Sequence, residues 1–178
     1  MQNPAVLVLT FLLSATSVVN AEEQDKPSSI CDAGSTVYFS CTTKNSKIIS
    51  FCGNVVDGKI QNIYYRFGRK NKIELEYPHK PTNESLSLFR YNSYGRAQVN
   101  YYEVSFQNKG FRYTLGAYYS EEEKQGNVKV ERGVSVYNPP ESLTANAVFN
   151  CTPGGTDRLY LLKGAIQCDE ENALGCGN

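Results

Sequence analysis

The chain has 178 residues, with 18 Lys and Arg balanced by 18 Asp and Glu, so its formal net charge is zero. That balance argues against a general nucleic-acid binder, whose affinity comes from neutralising phosphates. The length allows one domain with a real core, so disulfides would reinforce that core and not replace it.

Residues 1–21, MQNPAVLVLTFLLSATSVVNA, carry no charged side chain and run apolar from Ala5 to Leu13. They end in Val19-Asn20-Ala21 before the acidic pair Glu22-Glu23. This is the layout of a secretory signal peptide cut after Ala21. Its apolar core is too short for a membrane span of ~20 residues, and no Cys follows the cut to accept a lipid. The expected product is exported, periplasmic or secreted, with no membrane span. Residues 22–30 are polar and read as a flexible leader, and residues 31–178 as a single β-rich domain.

From Thr36 onward the dominant period is two. Val37 and Phe39 alternate with Tyr38 and Ser40, and Ile63, Tyr65 and Phe67 with Tyr64 and Arg66. Tyr102, Val104 and Phe106 form a third row, and Phe111, Tyr113, Leu115, Ala117 and Tyr119 a fourth. Each row predicts a half-buried strand. Turn signals lie between them at Lys44–Lys47, Asp57-Gly58, Asn71, Asn92–Gly95, Asn108–Gly110, Gly126-Asn127 and Asn138–Pro140. The fold expected is all-β, an antiparallel sandwich or barrel of about ten strands stapled by disulfides. Helix is confined to a turn near Glu121–Lys124 or Pro140–Leu143.

All six cysteines, Cys31, Cys41, Cys52, Cys151, Cys168 and Cys176, lie beyond the expected cut, as suits an oxidising compartment. Six cysteines allow fifteen complete pairings. A hairpin centred between Ser46 and Lys47 would set Cys41 opposite Cys52 at bridging distance. Cys168 and Cys176 would then tie down the C-terminal tail, leaving Cys31 for Cys151. No Cys-x-x-Cys pair exists and His79 is the single histidine, so neither a metal site nor a cofactor is expected.

Catalytic signatures are missing: no nucleophile elbow, zinc-protease motif or phosphate loop occurs. His79, between Pro78 and Lys80-Pro81, reads as a solvated turn residue. Glu74 and Glu76 share a strand face and read as a solvated row, not as the flanking pair of a glycosidase. No catalytic residue is assigned, and no enzyme is expected. Asn83-Glu84-Ser85 and Asn150-Cys151-Thr152 match the glycosylation sequon, which matters only in a eukaryotic secretory pathway.

The 13 Tyr and 8 Phe, with no Trp, suit half-buried strand faces. Tyr is also enriched at interaction surfaces, and Tyr64, Tyr94 and Tyr101 fall outside the apolar phase or in an expected turn. The expected partner-binding surface centres on the turn Tyr91-Asn92-Ser93-Tyr94-Gly95-Arg96, with Tyr91, Asn92, Tyr94 and Arg96 as its contacts. The basic strand carrying Tyr64, Arg66, Arg69 and Lys70 would extend it toward acidic partners. Residues 59–112 hold ten basic and four acidic side chains, which gives that bias its basis.

The stretch CTTKNSKIISFCGN, followed by IQNIYYRFGRKNKIELEYP, resembles a group of small exported bacterial proteins. They share a Cys-Thr-Thr-Lys-Asn hairpin closed by a second Cys, then Tyr-Arg-Phe-Gly and Lys-Ile-Glu-Leu strands. With SLFRYNSYGRAQVNYYEVSFQNKGFRYTL the likeness spans roughly residues 36–119. It implies bacterial origin, export to the periplasm and a β-rich fold, and no functional residue; it also makes the sequons irrelevant. The function expected is a binding protein whose partner is another protein, an inhibitor or immunity factor for a cell-wall hydrolase or toxin. The alternatives are a structural or adhesive envelope protein and an enzyme acting on envelope glycans.

Overall fold

A computed structural model describes residues 29–121 and 128–177. The expected signal peptide, leader residues 22–28, the turn at Gly126-Asn127 and most of the Glu121–Lys124 stretch lie outside the described residues. Ten strands are present: β1 (Thr36–Thr42), β2 (Ile48–Val56), β3 (Lys59–Arg69), β4 (Lys72–Tyr77), β5 (Phe89–Arg96), β6 (Val99–Asn108), β7 (Phe111–Ser120), β8 (Lys129–Tyr137), β9 (Ala147–Asn150) and β10 (Thr156–Asp157). They form two five-stranded antiparallel sheets, ordered β10-β1-β2-β3-β4 and β5-β6-β7-β8-β9. The all-β sandwich of about ten strands is therefore present. Among the described residues the helical content is two short 3-10 segments, Asn83–Leu88 and Leu159–Leu162, which the period-two pattern does not announce, and the helical turn expected at Pro140–Leu143 is an irregular loop.

The alternating rows point inward as their period dictates. Ile63, Tyr65 and Phe67 of the first sheet pack against Val104, Phe106, Tyr113, Leu115 and Ala117 of the second. Flat rings fill the space. Phe106 stacks between Tyr77 at 4.7 Å and Tyr113 at 4.9 Å, while Phe51 meets Phe89 edge-on at 5.1 Å. Such pairs add about 0.5–1.5 kcal/mol each beyond the area they bury. The sheets cross steeply: β7 runs from Tyr113, beside Tyr65 of β3, to Tyr119, whose hydroxyl donates to Asp157 of β10.

The disulfides correct two expected pairings. Cys41 bonds Cys151 and Cys31 bonds Cys52, while Cys168–Cys176 is paired as expected. The first turn centres on Asn45, closed by Thr43 N–H to the Lys47 carbonyl, so Cys41 faces Ile49 and Cys52 faces Val37. This offset places the two cysteines on opposite faces of the sheet, because side chains alternate face at each residue. Cys41 joins Phe39, Ile49 and Phe51 in the core, where Cys151 reaches it from the end of β9. Cys52 points outward beside Ser50.

There it anchors a strap, residues 29–35. Ile30, expected in a flexible leader, is buried. Its N–H donates to Ser50 Oγ, and the Asp32 N–H donates to the Tyr64 hydroxyl. Arg66 binds the strap from below, reaching the Ile30 carbonyl at 3.0 Å and both Asp32 oxygens at 2.6 and 3.1 Å. On the second sheet the C-terminal disulfide loop lies along the free edge of β5. Tyr91 N–H donates to the Gln167 carbonyl and Ser93 N–H to the Gly175 carbonyl.

The covalent and ionic frame can be checked in three ways. Peptide mapping without reduction will recover Cys31–Cys52, Cys41–Cys151 and Cys168–Cys176. Replacing both partners by Ser will destabilise in order of loop length: about 5 kcal/mol for Cys41/Cys151, about 3 for Cys31/Cys52 and about 2 for Cys168/Cys176 in the chain-entropy model. Arg66, through its hydrogen bonds, holds the Asp32 carboxyl below its ordinary value of 3.8. A carboxyl depressed by folding stabilises above its unfolded pKa and loses that contribution as pH falls through the folded one. An NMR titration of Asp32 will accordingly show a midpoint below 3.8 that moves upward in Arg66→Ala.

Candidate functional site

The expected partner-binding residues do not form one surface. Tyr64 is buried under the strap, its hydroxyl within 2.9 Å of both Ser35 Oγ and the Asp32 amide. Arg66 lies over the Tyr64 ring at 4.8 Å and is committed to Asp32 and Glu76. Arg69 donates to the carbonyls of Asn45 and Ser46, bracing the neighbouring hairpin, which leaves Lys70 exposed at that tip. His79 is exposed, 3.4 Å from Glu76.

The expected turn at Tyr91–Arg96 is strand. Arg96 pairs with Val99, so Ala97 and Gln98 make the bend, with Gln98 at φ 67° supplying the left-handed residue. Tyr91 faces the core. Asn92 is buried beneath the C-terminal loop, its Nδ2 donating to the carbonyls of Asp169 at 2.7 Å and Gly175 at 3.0 Å. Only the last three of these six, Tyr94, Gly95 and Arg96, are exposed. The sequence pattern looked turn-like because Asn, Ser and Gly cluster there, but Asn92 is spent on the loop and Gly95 has no positive φ.

The outer face of the second sheet is open where the first is strapped. Its register sets side chains in rows across the strands. Tyr94, Tyr101, Tyr118 and Glu131 form one row; Glu103, Gly116, Gly133 and Asn150 form the next; Ser105, Thr114, Ser135 and Val148 form the third. The three tyrosine rings run in series, 6.2 and 5.5 Å apart. Tyr118 donates to Glu103 Oε1 at 2.5 Å. Burial, reinforced by that carboxylate, pushes the Tyr118 hydroxyl well above the ordinary tyrosine range.

At one end of this face stands the loop joining β8 to β9, Asn138–Asn146. The Arg112 guanidinium lies 3.9 Å over the Tyr137 ring and donates to two loop carbonyls, Pro140 at 2.6 Å and Ser142 at 2.9 Å. Ser142 N–H closes a turn to the Pro139 carbonyl, and Ser142 Oγ accepts from Thr144 N–H while donating to its carbonyl. The Asn146 side chain accepts from Asn138 N–H and its own N–H donates to Val136, so both ends are tied. Ser142 and Thr144 thus bracket Leu143, which is 98% exposed. A large aliphatic side chain held wholly in water by a braced loop contributes nothing to the core. Sequence reading missed this element because a loop leucine carries no periodic signal and Arg112 reads as an ordinary outward strand residue.

Among the described residues no helix is long and apolar enough to cross a membrane. Compared with protein-family models, curated proteins and solved structures, the chain matches none. Its chemistry must speak for it.

Arg112→Ala will lower stability by about 1–3 kcal/mol, the range for hydrogen bonds to a charged group, and will speed hydrogen exchange at Ser142 and Thr144. Leu143→Ala will leave stability within about 0.5 kcal/mol, as for other exposed positions. Denaturant melts of the two variants beside the parent check both.

Proposed function

We propose that this chain is an exported binding protein, an inhibitor or immunity factor that caps a cell-wall hydrolase or toxin, with residues 1–21 as its signal peptide. The observation that carries the reading is Leu143, fully exposed at the tip of a loop whose carbonyls are gripped by Arg112. Ordering a loop on binding costs about 0.5–1.5 kcal/mol per immobilised side chain, and a pre-braced loop avoids most of that. A buried aliphatic or aromatic anchor seated in a pocket can form the central cluster of an interface. Three disulfides suit an oxidising compartment. The partner is therefore a protein with an apolar pocket, its rim suited to Glu141 and to the polar backbone of the loop.

The test uses purified peptidoglycan and the exported hydrolase fraction of the producing cell, with release of soluble fragments as the readout. The mature protein should slow release in a saturable manner, and Leu143→Glu, still folded, should weaken that inhibition by about 30-fold or more, the scale of a hot-spot residue. Inhibition that survives Leu143→Glu unchanged would remove the loop as the anchor. Release unaffected by the parent protein, together with failure to protect cells against any exported toxin, would remove the inhibitor and immunity readings.

A further inference from the structure

We propose that the groove on the outer face of β7, β8 and β9 binds a neutral glycan chain rich in N-acetylhexosamine. The inference stands on different residues from the Leu143 loop and does not depend on it. Gly116 and Gly133 face one another in register, so two adjacent strands lack side chains at the middle of an exposed sheet face. Around them rise Thr114, Ser135 and Val148 on one side and Tyr118 and Glu131 on the other, with Asn150 at the end. The depression holds about 350 Å³, at the small end of the range for sites that take small ligands.

Its walls are built for hydroxyl groups. Ser135 and Asn150 make no side-chain hydrogen bond among the described residues, and Glu131, ion-paired with Lys129 at 3.1 Å, stands 63% exposed at the rim. Tyr118 supplies an aromatic surface that is fixed, not mobile. Its ring lies directly over Gly116, where a Cβ would come within 2.5 Å of ring atoms, and its hydroxyl is held by Glu103. Glu103 in turn accepts from Asn172 of the C-terminal disulfide loop. The same aromatic row continues through Tyr101 to Tyr94, a track leading out of the groove. Sugar rings present C–H faces that pack on aromatic rings and an equatorial rim of hydroxyls that hydrogen-bond to amide and carboxylate groups. Val148, exposed on the same face, gives the acetamido methyl an apolar contact.

Other ligand classes fit less well. A phosphate group would have to displace the Glu131 carboxylate from Lys129 at the wall. A peptide added as an extra strand needs a free sheet edge, and this groove is on a face. An acyl chain needs an enclosed apolar slot, whereas hydroxyl, amide and carboxylate groups line much of this one.

The probe is chitohexaose, titrated into the mature protein and followed by amide NMR and calorimetry. The expected result is saturable binding with shifts centred on Gly116, Gly133, Ser135 and Asn150. Tyr118→Ala should weaken it at least tenfold. Asn150→Ala and the groove-filling Ser135→Trp, both at sites outside the core, should weaken it about fivefold or more and keep the assignment testable if Tyr118→Ala folds poorly. Leu143→Glu should bind as the parent does, which separates this site from the loop. No saturable binding at millimolar sugar, shifts elsewhere on the molecule, or binding unchanged in Asn150→Ala and Ser135→Trp would each overturn the proposal. Equal or tighter binding of cellohexaose would overturn the preference for acetamido sugars.

Discussion

The fold depends on β1 being held along both edges by segments far apart in the chain. Its local partner is β2, reached through a short hairpin. Its other edge takes β10, with Phe39 paired to Asp157 and Ser40 to Thr156. Thr152 donates to the Thr42 carbonyl through both its N–H and its hydroxyl, and Cys41 is bonded to Cys151 across a separation of 110 residues. Closing a loop that long is costly in chain entropy, though the cost grows only logarithmically with length. The disulfide removes part of that cost from the unfolded state. With β1 fixed in this way, the second sheet is brought across the first and the aromatic rings find their stacking partners.

The two outer faces then have opposite fates. The first sheet is sealed by residues 29–35, which bury Tyr64 and use Arg66 as an internal clamp. The second leaves the outer face of β7 to β9 uncovered, and its C-terminal loop lies along β5 and reaches β6 through Asn172 and Glu103. Arg66 and Arg112 perform the same physical task on the two sheets. Each lies over a tyrosine ring and donates to the backbone carbonyls of a segment that lacks regular structure. A guanidinium has several donors in a rigid plane, so a single side chain satisfies a piece of irregular backbone that no strand can pair. One clamp covers a surface, and the other presents one.

The strands and their inward rows were legible because a two-residue period leaves little choice of face. Ile63, Tyr65 and Phe67, and the five alternating residues from Phe111 to Tyr119, point where their pattern says. What resisted reading was set by register and by contacts distant in sequence. The turn before Ile48 centres earlier than its Lys-Asn-Ser-Lys sequence suggests, and that alone separates Cys41 from Cys52. Asn92 reads as a turn residue until the loop that its amide serves, almost eighty positions later, is seen beside it. Gly116 and Gly133 look like breaks in two strands, and become a groove when those strands pair. Leu143 had no signal at all, since only its surroundings distinguish an anchor held in water from an ordinary loop leucine.

The disulfide pattern also bears on how the chain reaches its native state. Cys41 and Cys52 are separated by only ten intervening residues, and in an unfolded chain the shorter loop closes more readily. Both correct bonds to these cysteines demand more: a closure of 21 residues for Cys52 and of 110 for Cys41. During oxidation two short wrong bonds, Cys31–Cys41 and Cys41–Cys52, therefore compete with the correct ones, and the second joins residues that the finished sheet places on opposite faces. Escape requires thiolate exchange, with Cys151 or whichever of Cys31 and Cys52 is left free as the attacking group. Reshuffling of this kind takes seconds to hours and is the step that isomerases speed; the transient species, trapped by alkylation early in refolding, would show the wrong bonds being made before the right ones.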